Sequence, residues 1–200
     1  MQSRAAVIFA LLGAGLTPAA ASAQERQIRV AVTVAATPEQ VWPLWTTDQG
    51  VRSFFAPGSH IELRVDGAYE IFFDPAAPAG LRGADGMRLL AVEPNRRLAF
   101  TWNAPATLPY ARAQRTVVTV DFATVGKDST RVTLRHIGWG TGPEWDEAIR
   151  YFEPAWNGFV MASFKRRMEH GPIDWKALPN LEPVQKTAIE YLAAQNQGDR

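Results

Sequence analysis

Ile28, Val30, Val32 and Val34 alternate with Arg29, Ala31, Thr33 and Ala35, the period of two expected of a strand with one buried face. The next residues carry several agreeing helix-start signals. Thr37 supplies a capping hydroxyl, Pro38 suits the first helical position, Glu39 suits the dipole, and Gln40 completes a capping box. Val41, Leu44 and Trp45 then share one face of a short helix that Gly50 is expected to break. Ser53 to Gly58 reads as an apolar loop.

Strand patterns follow in quick succession. His60 to Val65 and Ala68 to Phe73 flank Asp66-Gly67, a two-residue type I′ hairpin signal. Pro75 to Gly86, rich in Pro, Ala and Gly, is a long loop. Met87 to Glu93 and Arg97 to Trp102 flank Pro94-Asn95-Arg96, and Arg115 to Ala123 and Thr130 to Ile137 flank Gly126-Lys127-Asp128.

From Glu144 the period changes. Trp145, Ile149, Phe152, Trp156, Phe159, Val160 and Ser163 keep helical spacing until Gly171-Pro172 stops the run. Pro154 lies inside this pattern and predicts a kink or a break. A weaker helix is expected from Pro183 to Gln195. The fold class is therefore α+β: one antiparallel sheet of six to seven strands must bury a face, and the long C-terminal helix is the large apolar element able to cover it.

The N-terminal segment needs separate treatment. Arg4 precedes Ala5 to Leu16, an apolar run shorter than the roughly 20 residues that span a bilayer. Thr17-Pro18 and then Ala21-Ser22-Ala23 complete the anatomy of a secretory signal peptide covering residues 1–23, with cleavage after Ala23 and export to the periplasm or beyond. Residues 24–175 form one domain and 176–200 a tail. No apolar stretch after residue 23 is long enough for a membrane span.

Composition narrows the chemistry. Of 200 residues, 46% are hydrophobic and 20% charged, as in ordinary globular proteins. Cysteine is absent, which removes disulfides, thiol nucleophiles and Cys-type metal sites. With Lys+Arg 21 and Asp+Glu 20, the charge balance argues against a nucleic-acid binder. His60, His136 and His170 show no metal-ligand spacing, so neither metal nor other cofactor is implied. No serine stands in a G-x-S-x-G setting, and Gly80 to Gly86 lacks the ending of a phosphate loop and reads as a mobile loop.

Strand parity sorts what remains. Thr116, Val118, Val120 and Phe122 form one inward set; Leu98, Phe100 and Trp102 form another; Thr130, Val132, Leu134 and His136 form a third. His136 thus points inward, either as a core histidine satisfied by a polar neighbour or as an acid–base or ligand-orienting group. Glu62 is the other acid–base candidate. It shares its hairpin with Glu70 and Arg64, which equally suits a solvated outer face. Lys165-Arg166-Arg167 reads as a solvated helix surface, and Trp42 and Trp175 as surface packing.

Several stretches together carry a family resemblance. They are Ala36-Thr37-Pro38-Glu39-Gln40-Val41-Trp42, Phe54-Phe55-Ala56-Pro57, Ile61-Glu62-Leu63-Arg64 with Gly67 and Tyr69-Glu70, and Leu98 to Trp102. Thr130 to Leu134, Gly138-Trp139-Gly140 and Gly171-Pro172-Ile173-Asp174-Trp175 complete the series. From about Ile28 to Trp175 the chain resembles the SRPBCC (START-like, helix-grip) superfamily, and within it the group of activator of heat-shock-protein-90 ATPase homologues. The resemblance implies a curved sheet wrapped round the long C-terminal helix with an apolar cavity between them. Members mostly bind hydrophobic small molecules there, and a minority are enzymes. In that layout Trp45, Phe54, Phe55, Trp102, Trp139, Trp156 and Phe159 converge on one mouth, with His136 beside them. The expected function is an exported binding protein for a hydrophobic small molecule. The alternatives are an enzyme of cyclase, dehydratase or hydrolase type using His136 or Glu62, and a chaperone-cofactor-like interaction module.

Overall fold

A computed structural model describes residues 25–177. The signal-peptide segment and the helix expected from Pro183 to Gln195 lie outside the described residues.

Strand β1 (Ile28–Val34) has both ends buried and an alternating middle, as its sequence pattern predicts. Helix α1 (Pro38–Thr46) opens with the expected glutamine contact, the Thr37 amide donating to Gln40 Oε1 at 3.0 Å. It ends earlier than anticipated. Thr47 turns extended and its hydroxyl accepts the Gly50 amide, starting a second helix, α2 (Asp48–Arg52). Gly50 sits inside α2 and breaks neither helix. A Cβ there would overlap the Pro43 carbonyl, so the missing side chain serves the close packing of α2 on α1.

The following strands are β2 (Gly58–Ile61), β3 (Tyr69–Phe72), β4 (Gly83–Ala84), β5 (Leu89–Glu93) and β6 (Arg97–Trp102). After them come helix α3 (Pro109–Arg112) and strands β7 (Thr116–Val125) and β8 (Ser129–Ile137). The fold class is the α+β one read from the sequence, with the strands divided between two antiparallel sheets. One has the order β1-β8-β7-β6-β5, the other β2-β3-β4. A bridge between Ala68 and Arg88 joins them.

The two-residue hairpin expected at Asp66-Gly67 does not form. Residues 62–68 make a longer connection folded by the bonds Arg64 N–H to Glu62 O and Gly67 N–H to Arg64 O, at 2.7 and 2.9 Å. The Asp66 amide donates to Leu89 O at 2.8 Å, which draws the tip toward β5. A type I′ turn needs positive φ at both central residues, and of these two only Asp66, at 61°, has it.

The long helix is continuous. Helix α4 (Pro143–Pro154) passes into a π-helical segment (Ala155–Met161) and then α5 (Ala162–His170). Pro154 lacks an N–H and crowds the preceding turn. The helix answers with wider turns, and no break or separate rod results.

The inward sets named from strand parity are all buried. Leu98, Phe100, Val118, Val120, Val132, Leu134 and His136 are each 0% exposed. Trp45 fills the middle of the space between sheet and helix, its ring 5.0 Å from Phe54, 5.9 Å from Phe55 and 5.5 Å from Phe164. The Tyr69 hydroxyl donates to Trp45 O at 2.9 Å, and burial pushes its phenol far above the usual range. Trp42, expected at the surface, is buried and packs edge-on against Phe122. Trp175 is half-buried, with its indole N–H on Arg52 O. Of the basic run only Lys165 is exposed, because Arg167 turns back to Ser53 Oγ and Arg166 is partly covered.

Candidate functional site: an aromatic cleft at one end of the sheet

The space between sheet and helix is filled near Trp45 and open at the end of β6. There a half-open cleft of about 630 Å³ lies between the loop after β3, the chain after β6 and the π-helical part of the long helix. Trp102 forms its floor, and Trp156, Phe159 and Phe152 face it from the helix. The Trp102 and Trp156 rings lie 5.2 Å apart and inclined by 53°, and Phe152 stacks on Trp156 at 5.9 Å. The widened helix presents Ala155, Trp156, Phe159 and Val160 to this space together. Such a volume, walled by rings with a few polar groups, has the size and character of small-molecule sites.

Three of the eight anticipated ligand-binding residues line the cleft: Trp102, Trp156 and Phe159. The other five lie behind or beside it. Trp45, Phe54 and Phe55 are fully buried, because the rings above the sheet centre pack against one another and leave no room. His136 and Trp139 stand one layer back. The Trp139 ring lies 4.1 Å from the imidazole, and its N–H donates to His136 O at 3.0 Å.

His136 is held by a chain of bonds that fixes its tautomer. The indole Nε1–H of Trp156 can only donate, so the Nδ1 that it meets at 2.9 Å is the acceptor. The proton therefore resides on Nε2, which donates to Thr116 Oγ1 at 2.7 Å. That hydroxyl in turn donates a hydrogen bond to Trp102 O at 3.2 Å. Burial pulls the imidazole down to about 3, so it is neutral at physiological pH. Both nitrogens are occupied. What the arrangement does is position two walls of the cleft, Trp156 by its ring and Trp102 by its carbonyl.

Glu62 is remote from this chemistry. It does not line the cleft, its carboxylate is exposed, and the Ala68 amide together with Arg64 at 2.7 Å holds its pKa below the usual value. That low pKa suits an ion-paired surface group and not a proton donor near neutrality. Glu70 likewise accepts the Gly86 amide at 2.7 Å.

The polar groups of the cleft come from segments that the sequence reading left aside. Asn103 is buried and donates through Nδ2 to Gly83 O at 3.3 Å. Arg112, on α3, donates to Ala104 O, Gly80 O and Gly83 O at 2.5, 2.6 and 3.0 Å. Burial lowers its guanidinium below the ordinary range, with the charge of Asp85 acting in the other direction. Helix α3 is itself fastened by a small second core of Ala104, Leu108, Ala111, Trp145 and Ala148. The Ala111 amide also donates to Glu144 Oε2 at 3.0 Å. Pro109, at the first helical position after Leu108, was the available sequence signal for this helix.

The loop expected to be mobile is tied down by Asp85, whose carboxylate accepts from Gly80 N–H, Gly83 N–H and Arg82 Nε. Burial would raise the Asp85 carboxyl, but the Arg82 bond and the Gly80 amide outweigh it and hold the pKa low. Arg82 in turn lies over the Phe72 ring at 3.9 Å. Among the described residues there is no group of three or more side chains suited to hold a metal. No helix among them is long and apolar enough to cross a membrane.

An antiparallel sheet gripping one long helix, with an aromatic cleft at the end of the grip, defines the helix-grip class of α+β proteins. The chain belongs to the family described as activator of Hsp90 ATPase homolog 1-like proteins, whose model matches residues 35–169. No curated protein matches the sequence significantly. Among solved structures it is similar to protein MLL2253 from Mesorhizobium loti, at 21% identity and TM-score 0.58 over 74% of this chain and 100% of that one. It is also similar to Aha1 from Colwellia psychrerythraea, solved as a dimer, at 17% identity and TM-score 0.56, covering 73% and 98%. DynU16, from the dynemicin biosynthetic locus, matches at 20% identity and TM-score 0.54, covering 73% of this chain and 48% of that one. At these identities the likeness establishes the fold.

Proposed function

We propose that this protein is an exported binding module that holds a hydrophobic small molecule in the cleft between Trp102 and the π-helical segment. The observation that carries the reading is the cleft itself: about 630 Å³ walled by Trp102, Phe152, Trp156 and Phe159 in a core otherwise filled with rings. Burial of the ligand's apolar surface against these rings supplies affinity, at roughly 25 cal/mol per Å² removed from water. The buried bond chain from Trp156 through His136 and Thr116 to Trp102 holds the walls in place before a ligand arrives, which lowers the cost of binding. The signal-peptide pattern of residues 1–23 supports export.

The enzyme alternative loses its two named groups, since His136 has both nitrogens bonded and Glu62 lies away from the cleft. The chaperone-cofactor-like interaction alternative calls on an exposed apolar patch on an outer surface and not on this cleft. Native mass spectrometry of the protein purified from its own periplasm tests the proposal. An added small-molecule mass that disappears in an Ala155→Phe variant is expected. A chain mass without addition, together with no binding of either N-phenyl-1-naphthylamine or 8-anilino-1-naphthalenesulfonate, would overturn it.

A further inference from the structure

Arg112 brings a positive charge to the wall of an apolar cleft without an acidic partner. Its three recorded bonds all go to main-chain carbonyls, those of Gly80, Gly83 and Ala104. Among the described residues no carboxylate lies within ion-pair distance of it. The other charges near the cleft are accounted for differently. Arg82 is paired with Asp85 at 2.7 Å. Asp74 lines the cleft but is exposed to solvent, and its Oδ1 accepts the Ala76 amide. Arg112 is thus the cation of the lining that no carboxylate bonds directly, the charge of Asp85 reaching it only from beyond ion-pair distance, and a partly desolvated charge gains most from an ion of opposite sign in contact with it.

The neighbouring groups favour the same end. Asn103 converges with Arg112 on one acceptor, Gly83 O, at 3.3 and 3.0 Å. Each keeps further N–H groups beyond those bonds: the amide has two and the guanidinium five. The second core around Trp145 and the Ala111–Glu144 bond hold α3, and with it Arg112, at the edge of the cleft. Trp102, Trp156 and Phe159 supply flat faces alongside.

From this we infer that the ligand of the cleft is an aromatic or similarly flat apolar molecule bearing an anionic group, with the ring system against Trp102 and Trp156 and the anion at Arg112 and Asn103. The inference rests on the cleft being a binding site and adds the chemical class of what it takes. It predicts discrimination between molecules of the same apolar shape by charge alone.

Two fluorescent probes make that comparison directly. 8-Anilino-1-naphthalenesulfonate and N-phenyl-1-naphthylamine share one ring system, and only the first carries a sulfonate. Titrated against the folded full chain, the anionic probe should bind at least about tenfold more tightly, the worth of one charge-assisted bond in a partly buried site. In R112Q this preference, the ratio of the two probes' affinities, should fall to within about twofold. R112K, which keeps the charge, should retain most of it. Equal or tighter binding of the neutral probe to the wild-type chain overturns the inference and leaves the cleft as a neutral apolar site. Failure of both probes to bind overturns the cleft reading itself. If R112Q loses the neutral probe too, because the Gly80–Gly83 loop has lost its anchor, R112K decides. Neutral binding restored with the anionic preference supports the inference, and restored without it overturns it.

Discussion

The indole N–H of Trp156 donates to Nδ1 of His136 at 2.9 Å, joining the wall of the cleft to the inner face of β8 in the five-stranded sheet. Because the indole can only donate, this bond requires a histidine that is unprotonated at Nδ1. Protonation of His136 breaks it and places a charge in a fully buried site.

The pH dependence follows from the sign of that shift. The folded imidazole sits at about 3, below its ordinary 6.5. Its contribution to stability is therefore fully present above about pH 6.5 and is lost as pH falls from there toward 3. Between pH 7 and pH 5 the loss from this one group amounts to roughly 2 kcal/mol. Urea unfolding of the wild-type chain and of His136→Gln at both pH values checks it. The wild type should lose about that much more on acidification than the variant, which at pH 7 is itself destabilised by about 1–3 kcal/mol through its imperfect bonding of Trp156 and Thr116. Equal acid sensitivity of the two chains would count against the bond chain as drawn.

Asp85 organises the loop at the cleft entrance. Its carboxylate accepts from Gly80, Gly83 and Arg82, and its lowered pKa means that this support is present above the ordinary aspartate range and lost as pH falls through it. Asp85→Ala should speed amide exchange across residues 76–86 at least about tenfold while β7 and β8 keep their protection. Uniform loosening of the whole domain would contradict a local role.

Gly140 marks a contact between the chain before the long helix and its first turn. A Cβ at this position would overlap the Trp145 indole, which is locked in the small second core. Gly140→Ala should lower stability by about 1–3 kcal/mol, read as a Tm drop of several degrees for a domain of this size. An unchanged Tm would mean that Trp145 has room to move.

Ser163 offers a change in the opposite direction. Its hydroxyl is buried with no protein partner among the described residues. Replacing a buried polar atom that makes no bond removes its desolvation cost. Ser163→Ala should be neutral or stabilising by up to about 1 kcal/mol in chemical denaturation, and a loss of stability would show that the hydroxyl has a role in the core.

The inner faces of β6, β7 and β8 were legible because alternation along a strand reports burial directly, and His136 was correctly placed among Val132 and Leu134 on that basis. Its partners were not legible. Thr116 is a diagonal neighbour through the β7–β8 register and Trp156 lies on the helix, so both depend on how the elements dock. The rings tell the same story. Trp45 and Trp102 are alike as sequence, yet one is packed on several sides by Phe54, Phe55 and Phe164 while the other borders open space. Arg112 ends a proline-started helix of four residues, too short to give a period, so nothing distinguished it from a surface arginine.

Phe152 and Phe164 are both buried on the side of the long helix that meets the sheet. Twelve positions apart in an unbroken α-helix, turning about 100° per residue, they would diverge by about 120°. The π-helical stretch between them under-rotates and restores their common heading. Pro154 and the turns after it thus act as a phase corrector. Straightening this helix by replacing the proline alone would swing Phe164 out of register with Trp45, and any such redesign must also shorten the chain to compensate.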